Sequence, residues 1–483
     1  MSDKKKSRRG GLQNKNATYM VDIYDLNNLG CGVGRLPDGD DPADENSAGL
    51  VVFVRGTVSG DRAKIEIIKR TSSYAVGRLV EIVKPSEIRT SEDFCTAPEA
   101  CGGCVYRHVS YDYELGLKKE RVERAFRQSG LCDVAVRDVL STGKTKHYRN
   151  KGMYPVSQGK SGMTAGFFAA KSHKIIPCSE CSLQPKAFGE IVKTVCELCD
   201  RNHISAYDEI TRKGILRHIY LRAAGDGSTL LCLVVNAEQL PKKFKSELID
   251  CMTRDFPQIC GILININREN TNVVLGDRFV TLFGDAYIED ILCGKKLRIS
   301  AGSFYQVNRD AAELLYNTAA EMANFSGDEN LLDLYCGAGS IGICMSDKVK
   351  TITGIEIIPE AAECASLNAG LNNIPTECAR FLCGDATNAH SLLASIESDG
   401  APSPDAVILD PPRKGTTREL IEEIAERNIS KVVYISCEPE TLARDCAVFR
   451  ELGYEIGEVQ PVDLFPRTGH VETVVCLTRK EKE

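Results

Sequence analysis

The chain has 483 residues, 43% hydrophobic and 26% charged, with a net charge of −7. That length suits two to four domains with cores of their own, and the mild acidity argues against a wholly basic nucleic-acid binder. No apolar run approaches the ~18 residues of a membrane span, and the basic start MSDKKKSRRG lacks the apolar stretch of a secretory signal, so the chain reads as soluble and cytoplasmic with no membrane partner.

Residues 1–16 form a basic tail. Residues 17–85 carry short β-rich runs between Gly, Ser and Asp turns, the pattern of a small OB-like barrel. The cysteine cluster CTAPEACGGC comes next, and then a helical stretch over 113–128 with Leu115, Leu117, Val122 and Phe126 at near-helical spacing. Residues 139–297 mix strand-like runs such as TLLCLVVNA with helical ones, which predicts an α+β domain. Locally basic stretches at 4–9, 117–128 and 143–151 read first as solvated faces.

From about residue 298, strands NLLDLY, TITGIE, CARFLCG, DAVILD and KVVYIS alternate with helices. This predicts a doubly wound, mostly parallel sheet, with YEIGEVQPVDLF and HVETVVCLTR as an antiparallel pair at one edge. In LLDLYCGAGSIG, the residues Gly337, Gly339 and Gly342 have G-x-G-x-x-G spacing between a strand and a helix. The next strand ends at Glu356, the usual place of a ribose-binding carboxylate. The fingerprint admits NAD or S-adenosylmethionine. Asp333 on the preceding strand would oppose a pyrophosphate and suit a cationic ligand, which favours the latter.

Several motifs then line up. FYQVN, DLYCGAGSIGI, GIEIIPEA, LDPPRKG, YISCEPETLARD and GHVETVVCLTR resemble, in that order, the RNA uracil-5 methyltransferases that carry an iron–sulfur cluster. DLNNLGCGVGRL with VFVRGTVSGDRAKIEI resembles their TRAM domain. The resemblance covers nearly the whole chain after the tail. It implies a multidomain α/β protein: an N-terminal TRAM barrel at 17–85, a central iron–sulfur and RNA-binding domain at 86–297, and a Rossmann-like class I methyltransferase domain at 298–483. The helical part at about 107–138 is expected to pack on the catalytic domain. S-adenosylmethionine would be held by Gln306 at its amino-acid end, Tyr335 beside the glycine turn, Glu356 at the ribose and Asp385 at the adenine side. Asp410 would lie near the sulfonium and the base. Some relatives have Asn where this chain has Ser340.

The resemblance also sorts the 21 cysteines. Cys95, Cys101 and Cys104, spaced C-x5-C-x2-C, need a fourth ligand to hold a [4Fe-4S] cluster. The family pattern places it at Cys181, with Cys178 as the fallback. Cys178, Cys181, Cys196 and Cys199 also approach a zinc spacing, but residues 188, 191, 192, 195 and 198 form a helical apolar stripe that makes Cys196 and Cys199 core thiols. The cluster reads as structural. A radical S-adenosylmethionine enzyme would use C-x3-C-x2-C instead.

Cys437 stands at a strand end before a helix start, where the helix dipole would lower its pKa and favour the thiolate. It is the expected nucleophile, adding to uracil C6 so that C5 can take the methyl group. Glu472 in GHVET is the expected base for the C5 proton, with His470 as runner-up. The target uridine must be extruded into the pocket, and the barrel, the cluster domain and residues 143–151 are candidate RNA-gripping surfaces. The first expected substrate is 23S ribosomal RNA and the second transfer RNA. A monomer without an obligate protein partner is expected. The competing readings are an NAD-dependent oxidoreductase and a non-enzymatic RNA-binding metalloprotein.

Overall fold

The structure, a computed structural model, describes residues 17–36, 49–91, 95, 100–169, 172–178, 180–388, 394 and 402–480. The basic tail and most of the stretch expected to be helical between CARFLCG and DAVILD lie outside these residues. Two compact units make up the chain. One holds Met1–Phe94, Gly103–Leu117 and Arg467–Gly469, and the other holds Cys95–Gly102, Lys118–Pro466 and His470–Glu483.

In the first unit, β1 (Thr18–Leu26), β2 (Cys31–Arg35), β3 (Val51–Arg55), β4 (Arg62–Arg70) and β5 (Tyr74–Lys84) close into a barrel in the order β1-β2-β3-β5-β4. Alternate residues point inward, as a strand demands, and Val21, Ile23, Val52, Val54, Ala63, Ile65 and Ala75 fill the interior. The expected five-stranded barrel is present.

The second unit begins with a mixed sheet. Its strands are β6 (Lys151–Gly159), β7 (Gly162–Phe168), β8 (Ile175–Pro177), β9 (Leu216–Ala223), β10 (Thr229–Val235), β11 (Ile259–Ile266) and β12 (Arg278–Gly284), in the order β12-β11-β10-β9-β6-β7-β8. β9 and β10 are buried along their whole length because both faces are covered. Leu231, Leu233 and Val235 meet the helices Lys186–Arg201 and Lys242–Asp255 through Phe188, Val195, Phe244 and Leu248. Leu230 and Cys232 turn to the other face, toward the hairpin β13 (Tyr287–Leu292) and β14 (Lys295–Ser300) and the helix Arg309–Ala323. The apolar stripe on Lys186–Arg201 is as expected: Cys196 and Cys199 lie in this core, where burial raises both thiol pKa values.

The C-terminal sheet contains β15 (Asn330–Leu334), β16 (Thr351–Glu356), β17 (Ala379–Cys383), β18 (Ala406–Leu409), β19 (Lys431–Ser436), β20 (Tyr454–Val462) and β21 (Glu472–Arg479). The order is β17-β16-β15-β18-β19-β21-β20, with β15 to β19 parallel and β21 antiparallel to both its neighbours. The antiparallel pair sits at one edge, as the sequence predicts. The helices Pro359–Leu371, Arg418–Glu426 and Pro439–Glu451 follow β16, β18 and β19. The helix Tyr111–Gln128 sends Lys118 to Asp463, an ion pair of 2.7 Å with both side chains buried. The Lys118 Nζ also donates to Phe465 O at 3.1 Å, which anchors the segment leading to β21. Among the described residues, no helix is long and apolar enough to cross a membrane.

Candidate active site

Five parallel strands bring their carboxyl ends to one edge of the sheet. Tyr335 follows β15, Glu356 ends β16, Asp385 stands just past β17, Asp410 follows β18 and Cys437 follows β19. β21 runs the other way, so its first residue, Glu472, lies at the same edge. The register pairs Ser436 with Thr473 and so sets Glu472 beside Cys437.

The glycine turn is built around two buried carboxylates. Asp333 accepts the Gly342 N–H at 2.9 Å, and a Cβ at Gly342 would stand 2.9 Å from that same oxygen. Gly339 caps the helix Ser340–Met345 with φ of 77°, where an L side chain is strained. Glu356 accepts N–H groups from Gly337 at 3.0 Å and Ile358 at 2.9 Å, which fixes both its oxygens. The second oxygen of Asp333 is buried without a partner, and burial lifts its pKa to about 7, with Asp410 and Glu356 adding to the rise.

Gln306 is buried, and its carbonyl accepts Asn150 Nδ2 at 2.9 Å. Its side chain lies near Tyr316, whose hydroxyl is 3.4 Å from Ser340 Oγ. Tyr335 adopts a positive φ of 64° and places its hydroxyl 3.3 Å from Thr416 Oγ1. Asp385 accepts Thr387 N–H and Oγ1–H at 2.9 and 2.7 Å, which lowers its pKa.

At the other side, Asp445 clamps the loop that follows β18. It accepts the Tyr434 hydroxyl at 2.6 Å and the Thr416 N–H at 3.0 Å, while Arg444 Nε donates to its second oxygen at 2.8 Å. Thr441 Oγ1 donates to Arg413 O at 3.2 Å. The loop so held carries Arg413, whose charge reaches both Cys437 and Glu472.

The thiol departs from its expected state. Burial, then the charges of Glu472 and Asp410, push Cys437 up to about 11, and Arg413 only partly opposes them. Burial and the carboxylates outweigh the expected pull of the helix dipole. The helix begins at Pro439 behind the N-cap residue Glu438, whose carboxylate adds to the rise. Glu472 is itself raised to about 8 by burial and by Asp410, and Asp410 to about 7 by burial. His470 is lowered to about 4 by burial and by Arg413, Arg121, Lys118 and Arg149.

The seven residues expected at the cofactor and catalytic positions thus share one sheet edge and the segments beside it. The cysteines expected at a cluster lie elsewhere. Cys101 bridges Ala169 just past β7, and Cys178 follows β8. Burial raises the pKa of Cys178 and of Cys181, and Cys95 and Cys101 add to the rise in both, so the four thiols lie in one another's field. Cys104 belongs to the first unit. Burial raises Cys181, and the nearby N–H groups of Leu183 and Gln184 oppose the rise only in part, whereas Cys178 donates its S–H to Glu180 O at 3.4 Å. Among the described residues, no three His, Cys, Asp or Glu side chains are drawn close enough to hold a metal ion. Cys95, Cys101, Cys178 and Cys181 nonetheless offer, in one common field, the thiol chemistry that an iron–sulfur cluster takes.

Residues 110–480 match the family model for tRNA (Uracil-5-)-methyltransferase, and residues 13–80 match the TRAM domain. The chain belongs to this RNA uracil-5-methyltransferase family. An uncharacterized RNA methyltransferase of Clostridium acetobutylicum is 39% identical over 472 residues, covering 97% of this chain and 98% of that protein. One from Bacillus cereus is 37% identical over 470 residues, covering 97% and 98%. The crystal structure of Pyrococcus abyssi tRNA (uracil-54, C5)-methyltransferase in complex with S-adenosyl-L-homocysteine is similar with a TM-score of 0.74 at 25% identity, covering 95% of this chain and 100% of that one.

In this methyltransferase, three residues at the site have no counterpart in the sequence reasoning. Tyr316 sits in an alanine-rich helix that reads as core, and only its hydroxyl hinted at more. Arg413 was visible in LDPPRKG, and Asp445 ends YISCEPETLARD, yet neither motif shows what these side chains touch.

Proposed function

We propose that this methyltransferase methylates C5 of a uridine in RNA through a covalent adduct between Cys437 and C6, with Glu472 as the base. The observation that carries the reading is the antiparallel start of β21, which sets Glu472 next to the residue that ends β19, with Asp410 in the same field. Gln306, Tyr335, Glu356 and Asp385 are proposed to hold S-adenosylmethionine. When bound, that molecule supplies an electrophilic methyl group and a positive charge.

Cys437 must first lose its proton, and Asp410, about half ionised near pH 7, is the group that takes it. Sulfur then bonds C6, the C5–C6 electron pair moves toward C5 and O4, and C5 accepts the methyl group. Glu472, which releases its own proton to solvent when a positive charge enters the site, next removes the C5 proton as the carboxylate. The C5–H pair restores the double bond and the C6–S bond breaks, returning the thiolate. A positive charge entering among these carboxylates lowers the Cys437 pKa and offsets the burial that raises it. His470, at about 4, is a far weaker base than Glu472.

The proposed substrate is 23S ribosomal RNA. The similar Pyrococcus abyssi enzyme acts, by its name, on tRNA uracil-54, so transfer RNA is the second reading. RNA from a strain lacking the protein, incubated with the purified enzyme and labelled S-adenosylmethionine, should gain 5-methyluridine in the 23S fraction. Label confined to transfer RNA would select the second reading, and no 5-methyluridine in any fraction would overturn both.

A [4Fe-4S] cluster is proposed on Cys95, Cys101, Cys104 and Cys181. Cys178 already lends its S–H to Glu180 O, whereas Cys181 makes no such bond among the described residues, which supports Cys181 over Cys178 as the fourth ligand. Anaerobically purified protein should contain about four iron atoms per chain, and Cys181→Ser should lose most of them while Cys178→Ser retains them. Zinc without iron in the wild-type protein would sink the assignment.

A further inference from the structure

Most cations near the Cys437 pocket are already paired with carboxylates. Lys118 is bound to Asp463, and Arg121 to Glu438 and Glu440. Arg149, Lys151 and Arg413 are not. Among the described residues, their side chains make no ion pair or hydrogen bond.

These three groups are held where an anion would have to come. Residues 148–151 are laid along the segment that leads to Glu472: Tyr148 donates to Pro466 O at 2.8 Å, and Arg149 bridges Asn308, whose Nδ2 donates to Leu464 O at 3.0 Å. The extended chain alternates. Asn150 turns inward to Gln306 O, which sends Arg149 and Lys151 to the opposite side. Lys151 lies opposite Arg222 in the ladder between β6 and β9. Arg222 is buried and donates to the carbonyls of Ser300 and Ser303 at 2.9 and 2.8 Å, so no carboxylate neutralises it. Arg413 rides on its clamped loop, from which its charge reaches Cys437 and Glu472. The His470 ring packs edge-on against Phe465 at 5.9 Å and feels the charges of both Arg413 and Arg149.

We propose that Arg149, Lys151 and Arg413 form a seat for the phosphodiester groups flanking the target uridine, so that the RNA backbone is gripped as the base enters the Cys437 pocket. The seat rests on the reading of that pocket as the uridine site. The ligand chemistry follows from the donors: cations, Arg149 and Lys151 half-buried and Arg413 exposed, with no acceptor of their own beside a pocket for a nucleobase. Half-burial together with the charges of Arg222 and Arg149 presses Lys151 down to about 8, a penalty that a bound phosphate removes by restoring an opposite charge. A uridine turned out of its stack brings its flanking phosphates with it.

The test is the binding of a single-stranded, uridine-containing RNA 12-mer across a salt series, with S-adenosylhomocysteine binding as the check on folding. Arg149→Gln and Lys151→Gln should each weaken RNA binding several-fold and reduce the slope of log affinity against log salt by about 0.7. Lys151→Arg should restore the slope. The exposed Lys242→Gln, on a distant helix, should leave it unchanged. Wild-type slope and affinity in both Gln variants, with cofactor binding intact, would overturn the seat. Formation of 5-methyluridine by the wild-type enzyme is scored separately, so its absence would strike the proposed function and not the salt slopes.

Discussion

Cys437→Ala should abolish methyl transfer, lowering turnover by about 10⁴–10⁶-fold, while S-adenosylhomocysteine still binds. The loss is large because uracil C5 is a poor nucleophile until C6 is attacked, and Cys437 stands at this sheet edge in the field of both Glu472 and Asp410. Binding should survive because Cys437 follows β19, whereas Gln306, Tyr335, Glu356 and Asp385 stand on other segments. Removing a half-buried thiol from a strand end leaves the Ser436–Thr473 pairing in place, so the fold should persist. Cys437→Ser is the sharper variant. It keeps the shape but offers a hydroxyl, whose proton the neighbouring carboxyls cannot take at neutral pH. Titration calorimetry and single-turnover methylation check both halves, and near-normal turnover by either variant would end the covalent mechanism.

The resting state of Cys437 also exposes what sequence can and cannot say. Its position was legible: an apolar run KVVYIS, a cysteine, a proline at the helix start. Its ionisation was not, because the decisive charges come from Glu472 on a strand that pairs antiparallel with β19, and from Asp410 one strand away. The local helix dipole is a small effect beside burial and two carboxylates. The same contrast runs through the fold. Strands β15 to β19 were readable because each is a short apolar run ending in a turn or an acid. The order of the middle sheet was not, since β9 and β10 are buried on both faces and carry no alternation to betray their neighbours. The pairing of Lys118 with Asp463 links residues 345 positions apart, and nothing in either local sequence announces it. Arg413 and Asp445 lay inside quoted motifs, but their roles depend on which loop the Asp445 carboxylate holds.

Glu472→Gln should separate the two halves of the reaction. Methyl transfer to C5 leaves that carbon with a proton that must depart before sulfur can leave, and a carboxamide cannot accept it. The variant should therefore accumulate a protein–RNA adduct that survives denaturing gels and carries the added methyl group, with turnover reduced by about 10²–10⁴-fold. A variant that turns over normally and yields no adduct would remove Glu472 from the role. The substitution also carries a stability signature in the free enzyme. The folded-state pKa of about 8 lies above the ordinary 4.5, so between those values the folded protein keeps a proton that the unfolded chain has released. Stability linked to this group is complete below pH 4.5 and is lost as pH rises through 8. A glutamine has no proton to lose. The denaturation midpoint of Glu472→Gln should therefore gain on that of the wild type as pH rises from 4.5 to 8, while a constant difference across that window would show that the carboxyl is not held protonated. The two measurements test one physical fact from opposite ends: the burial that holds the proton on Glu472 at rest is what readies it to act as a base near neutral pH once a positive charge enters the site.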